Sequence, residues 1–425
     1  MSYIKSALVG ALAVAGVAQT AAAQDTVKVG VLHSLSGTMA ISETTLKDTM
    51  LMLIDEQNAK GGVLGKQIEA VVVDPESDWP KFGEKARELI VKDNVDVIFG
   101  AWTSVSRKHV LPVVEELNSL MFYPVQYEGE ESSRNVFYTG AAPNQQAIPA
   151  TDYFLDKLGV QKFALLGTDY VYPQTTNAIL EAYLKSKGVP ASDIYVSYTP
   201  FGHSDWDSIV EDVIEMGADG SKVGVISTIN GDANIGFYET LAMKGIMPFD
   251  IPVVAFSVGE EELSMLDTAD LVGHLAAWNY FQSAETPANQ EWVRKWKDRM
   301  GLARVTNDPM EAHYIGFNMW VNAVEQAGTT DTDAVRKAMY GQRFPNLIGG
   351  QAIMLPNHHL AKPVLIGEIN ERGQFDIVSQ TSEVQGDAWT DFLPASKNLK
   401  SDWQTLGCGK FDVISNTCVQ IKSDY

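Results

Sequence analysis

Residues 122–146 read FYPVQYEGEESSRNVFYTGAAPNQQ, and the fold turns on this stretch. An apolar run ends at Tyr123 and Pro124, gives way to Gln126, Tyr127 and Glu128, and passes through Ala141 to Asn144 into a new helical pattern. An aromatic, polar loop at the carboxyl end of a strand is where open α/β sheets bind small ligands. The stretch therefore predicts a strand end facing a cleft, then a hinge near Asn144 leading to a second lobe.

Strands and helices alternate on both sides of it. Before the hinge, strands are predicted over 27–32, 67–74, 95–100 and 121–125, with helices over 44–58, 80–93 and 107–117. In the first helix Leu46, Met50, Leu53 and Ile54 fall at helical spacing, and Lys60-Gly61-Gly62 ends it. After the hinge come helices over 146–158, 174–187, 206–216 and 235–244, with strands over 162–167, 194–199, 223–227 and 253–256. Such alternation implies right-handed crossovers and parallel sheets, so the fold class is α/β with two doubly wound lobes. Helices over 287–300, 309–326 and 331–339 need a sheet to cover and are assigned to the first lobe. Asp308 before Pro309 reads as the capping carboxylate of the second of them. Runs over 365–370 and 375–379 form a hairpin at Arg372-Gly373. The predicted N-terminal lobe is 24–144 plus 278–350 and the C-terminal lobe 145–277 plus 351–380. Three crossovers, near 144, 278 and 350, join them, and an irregular tail covers 381–425.

Residues 1–23 combine Lys5, an apolar run over 7–17 and Ala21-Ala22-Ala23, the order of a secretory signal peptide cut before Gln24. That run is too short to span a bilayer, and no later stretch approaches about 18 apolar residues, so no membrane insertion is expected. No cysteine stands at the cut to take a lipid. The expected product is a free periplasmic protein and not a lipoprotein. Removing Lys5 from 32 basic residues leaves 31 against 54 acidic, and 31 − 54 = −23. This charge disfavours nucleic acid and anionic membranes as partners. The two cysteines, Cys408 and Cys418, are expected to pair in an oxidising compartment, with free thiols as the alternative.

No catalytic signature is present: no G-x-S-x-G elbow, no P-loop, no G-x-G-x-x-G after the first strand and no H-E-x-x-H. The seven histidines are scattered, and adjacent His358 and His359 cannot share a helix face for a metal. Neither an enzyme nor a metal or cofactor is expected. What recurs is polar and aromatic residues after strands. Trp102, Thr103 and Ser104 follow the third strand, and Tyr123, Gln126, Tyr127 and Glu128 the fourth. Tyr170, then Asn230 and Asp232, then Ser257 follow strands of the second lobe. These are the candidate ligand residues. Capping competes for Ser104 and Ser257, an Asx-turn for Asp232, and a core ring for Trp102, Tyr123 and Tyr170.

The segments FGAWTSVSRKHVLPVVEELN, MFYPVQYEGEESSRNVFYTGAAPNQQAIPA, LGTDYVYPQTTN, YTPFGHSD, STINGDAN, VVAFSVGEEEL, LVGHLAAWNYF and TNDPMEAHYIG carry a family resemblance. The chain resembles the substrate-binding proteins of ABC importers in the leucine/amide branch of the type I periplasmic binding proteins, and within it the urea-binding components of urea transporters. The resemblance extends to about Phe375 and does not cover the segment with Cys408 and Cys418. It implies two lobes joined by three crossovers, closing on a small ligand and presenting it to permease subunits. By motif it assigns ligand contacts to Ser104, Tyr123 and Tyr170, with Asp232 a looser match. Val125 stands where related amide sensors have threonine, which removes one hydroxyl. The function implied is capture of urea, the alternative a short-chain amide or a branched-chain amino acid. Urea is flat and uncharged, with one strong acceptor and four N–H donors, so it needs acceptors, a donor and aromatic walls. A cytosolic amide sensor is disfavoured by the leader, and an amidohydrolase by the missing motifs.

Overall fold

The computed structural model describes residues 26–419, so the leader lies outside the described residues. The first lobe is built on β1 (Val27–Leu32), α1 (Ala40–Ala59), β2 (Ile68–Val73), α2 (Trp79–Val91), β3 (Val97–Gly100), α3 (Ser104–Glu116), β4 (Met121–Tyr123) and β5 (Val136–Tyr138). The five strands form one parallel sheet in the order β2-β1-β3-β4-β5. The β5 strand, Val-Phe-Tyr, lies inside the deciding stretch, where only a loop was expected. Its three residues are fully buried and pair residue for residue with β4. The run is too short for a period-2 pattern to register.

The second lobe follows the same plan. It contains α4 (Ala147–Tyr153), β6 (Lys162–Thr168), α5 (Val171–Ser186), β7 (Ile194–Thr199), α6 (Asp207–Met216), β8 (Val223–Thr228), α7 (Ala233–Met243), β9 (Val253–Ala255), α8 (Glu260–Leu263) and β10 (Leu275–Trp278). Within its seven-stranded sheet these strands run β10-β9-β8-β6-β7, the mirror listing of the first sheet's order. Both sheets therefore reverse direction beside their first strand, at β1/β3 and β6/β8, where open sheets leave a crevice.

The chain then returns to the first lobe with α9 (Pro287–Met300), α10 (Asp308–Ala327) and α11 (Thr332–Met339). Trp292, Trp296, Phe317 and Trp320 pack into the core beneath the first sheet. The cap of α10 is Asn307, which accepts from Met310 N, and not Asp308. The shift of one residue frees Asp308 to accept from Asn279 N at 2.8 Å.

Next come β11 (Arg343–Pro345), β12 (Gln351–Met354) and β13 (Leu360–Lys362), an antiparallel group. Ala352, Met354 and Leu360 bury against the first-lobe core, so 351–362 sits with the first lobe and not with the second as expected. The crossing falls at Pro363, after which β14 (Leu365–Ile369) and β15 (Phe375–Gln380) extend the second sheet antiparallel to β10. Asn279 ties the three connections: its Nδ2 donates to Gln145 O at 3.1 Å and to Pro363 O at 2.8 Å.

The tail, expected to be irregular over 381–425, forms strands within its described residues, which end at 419. After β16 (Val384–Gln385), which pairs with β13, a sheet of β17 (Leu399–Asp402), β18 (Cys408–Asp412) and β19 (Thr417–Cys418) forms, with Cys408 and Cys418 disulfide-bonded. Trp403 fastens it to the first lobe by donating to Ser132 Oγ at 3.1 Å. Phe392 reaches the second lobe, edge-on to Tyr183 with centroids 4.8 Å apart.

Candidate functional site between the lobes

The loops after β3 and β4 build the first-lobe wall. Ala101 takes a left-handed turn (φ 63°) as β3 ends, and Thr103 caps α3 by accepting from Ser106 N at 3.2 Å. The hydroxyl of Tyr123 donates to the Trp102 carbonyl. Ser104, at the first turn of α3, donates to Glu128. One turn later Arg107, fully buried, donates from Nη1 to Ser104 Oγ (3.1 Å), from Nη2 to Glu128 Oε1 (3.1 Å) and from Nε to Glu131 Oε1 (2.8 Å). Its guanidinium lies over the rings of Tyr123 and Tyr127, 4.7 and 4.8 Å from their centroids. Tyr127 is held behind it, its hydroxyl 2.6 Å from His359 Nε2.

The charges of this wall are settled among themselves. Burial alone would raise the Glu131 carboxyl, but Arg107 and Lys108 overcome it and hold the group far below the usual carboxylate range. Lys108 Nζ lies 2.8 Å from Glu131 and 3.6 Å from Glu128. Burial pushes the Tyr123 and Tyr127 phenols up, and both stay protonated. Burial also lowers His359 to about 4, leaving it neutral near pH 7.

The second lobe supplies the opposing face from the ends of β6, β8 and β9. Tyr170 precedes α5 and is partly buried, its ring 4.9 Å from Phe201 and 6.1 Å from Tyr172. Burial, with Tyr123 and Tyr172 as further causes, raises its phenol. Tyr172 is buried beside Gln126 and Ser257: burial raises its phenol and these two polar neighbours work against that rise, although no hydrogen bond of full geometry forms at its hydroxyl. Asn230 is buried and locally bonded, donating from Nδ2 to Thr228 O at 3.0 Å.

The lobes meet directly. Gln126 Nε2 donates across the seam to Phe256 O at 2.7 Å and to Ser257 Oγ at 2.9 Å, while Gln126 Oε1 is buried without a partner. Ser42 of α1 donates to Glu262 Oε1 of α8 at 2.6 Å. Phe201 stacks obliquely on Trp79, 5.3 Å away. A side chain at Gly231 would meet the first-lobe carbonyl of Thr38 at 3.3 Å, so glycine permits the close approach there.

Of the residues singled out in the sequence, Trp102, Ser104, Tyr123, Tyr127 and Glu128 form one buried cluster with Tyr170 against it, and Gln126 and Ser257 join across the seam. Thr103 is a helix cap. Asp232 stands apart: it is exposed at the start of α7, and its side chain caps nothing. The pairing of an acidic side chain with a nearby turn said nothing about which way that turn faces. Three participants were missed as ligand-site residues, Arg107, Glu131 and His359, while Tyr172 belongs to the polar stretch after β6 that carries Tyr170. In Ser-Arg-Lys-His a charged helix face reads as solvated, and only the facing Glu128 and Glu131, more than twenty positions away, turn it inward.

Comparison with known proteins agrees with this architecture. The periplasmic binding protein domain family matches residues 27–395. The Leu/Ile/Val-binding protein homolog 6 of Brucella melitensis biotype 1 is 24% identical over 394 residues, covering 90% of this chain and 98% of the relative. The leucine binding protein of Thermotoga maritima superposes with a TM-score of 0.73 at 16% identity, over 84% of this chain and 99% of that one. An ABC transporter solute binding protein of Rhodopseudomonas palustris BisB5, in complex with 3,4-dihydroxybenzoic acid, gives 0.73 at 19% identity, over 85% and 98%. No helix among the described residues is long and apolar enough to cross a membrane. The chain belongs to the periplasmic binding protein family and has its type I, two-lobed α/β fold.

Proposed function

We propose that this protein captures urea in the seam between its lobes and delivers it to the permease of an ABC importer, binding it without transforming it. The observation that carries the reading is the composition of the seam. Tyr123 lines the first-lobe side and Tyr170, with Tyr172 and Phe201, the second; Gln126 Oε1 is buried without a partner, the Tyr172 hydroxyl lacks a hydrogen bond of full geometry, and Glu128 lies behind with Ser104. Buried polar atoms are costly unless a partner satisfies them, and urea's N–H groups and carbonyl are suitable partners. Its flat shape suits a site lined by aromatic rings. Binding in the periplasm, after removal of residues 1–23, belongs to the same proposal, and the mature protein should begin at Gln24.

A second reading, a branched-chain amino acid or aromatic acid as ligand, is favoured by what the similar proteins are named for. Calorimetric titration of the mature protein with urea, acetamide, leucine and benzoate separates the two. Saturable heat with urea and none with leucine or benzoate supports the proposal; the reverse pattern ends it. Absence of ammonia after long incubation with urea is expected if no hydrolysis occurs.

A further inference from the structure

Among the described residues only three lysine or arginine side chains are buried: Arg107, Arg336 and Lys362. Lys362 is paired with Glu311 at 2.8 Å, and Arg336 binds Asp333, Asn118 and the Arg134 carbonyl. Arg107 is the buried cation that stands behind the seam. All three of its nitrogens are engaged, by Ser104, Glu128 and Glu131, and aromatic rings cover its plane. With Lys108 the group holds two cations and two carboxylates, a net charge of zero.

We propose that this neutralised network is a charge filter: Glu128 and Glu131 occupy Arg107 so completely that the seam admits uncharged ligands and refuses carboxylates. The inference rests on reading the seam as the ligand site, and it names the ligand class that the site selects. The physical reason is the cost of a buried, unpaired anion. A carboxylate entering here must displace Glu128 or Glu131 from Arg107, leaving one carboxylate without its partner in a poorly hydrated site. Rejection of this kind selects by penalty and not by extra attraction for the right ligand. Arg107 is accordingly a positioning residue, acting through Glu128 and the Tyr123 ring.

The test converts one anion of the network to its neutral isostere. Glu128→Gln keeps the shape and leaves Arg107 and Lys108 against Glu131 alone, an excess of one positive charge. The filter predicts that this variant gains acetate binding by at least tenfold over wild type, so that the preference for acetamide, the uncharged isostere, over acetate narrows by about that factor. A structural role alone would lower both or neither and create no acetate binding. Glu131→Gln, with the same excess charge, serves as a second variant should Glu128→Gln fail to fold by circular dichroism. Acetate binding that stays at the wild-type level in a folded variant overturns the filter. The two readings fail separately: wild-type protein that ignores urea removes the urea proposal, whereas gain or absence of acetate binding on the variant decides the filter.

Discussion

Gln126 is the residue on which the seam turns, because one side chain is both a strut between the lobes and, through its unpartnered Oε1, a candidate ligand contact. Gln126→Leu removes both roles and leaves the Phe256 carbonyl with one donor fewer. The loss of buried hydrogen bonds of this kind amounts to about 1 to 3 kcal/mol, so urea affinity should drop by roughly tenfold or more. Titration against wild type measures it, and an unchanged affinity would place the ligand elsewhere. Asp232 gives the opposite expectation. It is exposed and bonded to nothing in the seam, so Asp232→Ala should change affinity by less than about threefold, within the range of ordinary surface substitutions. The sequence named both residues on equal grounds, as polar groups after strands. What separates them is side-chain direction, which depends on the turn each occupies and on what the other lobe brings near. Arg107 was illegible for a related reason: its partners are distant in sequence, and a buried ion network looks locally like any charged helix face.

Elements fared better where the pattern was long. Strand and helix alternation over 27–123 and 162–256 follows from β-branched buried runs and amphipathic spacing, and these alone decide a doubly wound sheet. Short pieces escaped. β5 has three residues, β10 is the four-residue Leu-Ala-Ala-Trp leading into an aromatic stretch, and β17, β18 and β19 lie in turn-rich sequence. The last sheet owes its order to a small closed loop. Cys408 and Cys418 stand 10 residues apart, and closing such a loop contributes about 2 to 3 kcal/mol through the unfolded state. Replacing both cysteines by serine should therefore open this sheet locally. The amides of β18 should exchange faster, by roughly thirtyfold or more at about 2 kcal/mol, while those of β8 keep their protection. Hydrogen exchange read by mass spectrometry distinguishes this from global loosening, in which β8 would change as well.

For the whole molecule, buried carboxyls gather at the junction of α8, the second crossover and α10, and this sets a pH dependence. Glu260 Oε1 accepts from Gln282 N at 2.6 Å, but its Oε2 has no partner. Burial, with Asp308 and Glu262 nearby, raises Glu260 to about 8. Burial likewise raises Asp308 to about 6, against the pull of Lys362, and Glu261 to about 7, against that of Arg304. A carboxyl whose value is raised in the folded, closed form binds its proton more tightly there than in the unfolded chain. Its stabilising contribution is complete below the ordinary carboxylate value of about 4.5 and is lost as pH rises through the raised value. For Glu260 the window runs from about pH 4.5 to about pH 8. Glu260→Gln keeps the acceptor for Gln282 N, cannot ionise, and so removes that slope. The variant should match wild type near pH 5 and melt a few degrees higher at pH 8.5, about 1 °C for each ~1 kcal/mol in a chain of this size. Melting curves of both proteins between pH 5 and pH 9 decide the matter. Parallel curves would mean that Glu260 stays ionised in the closed form, its charge answered by a group outside those named here.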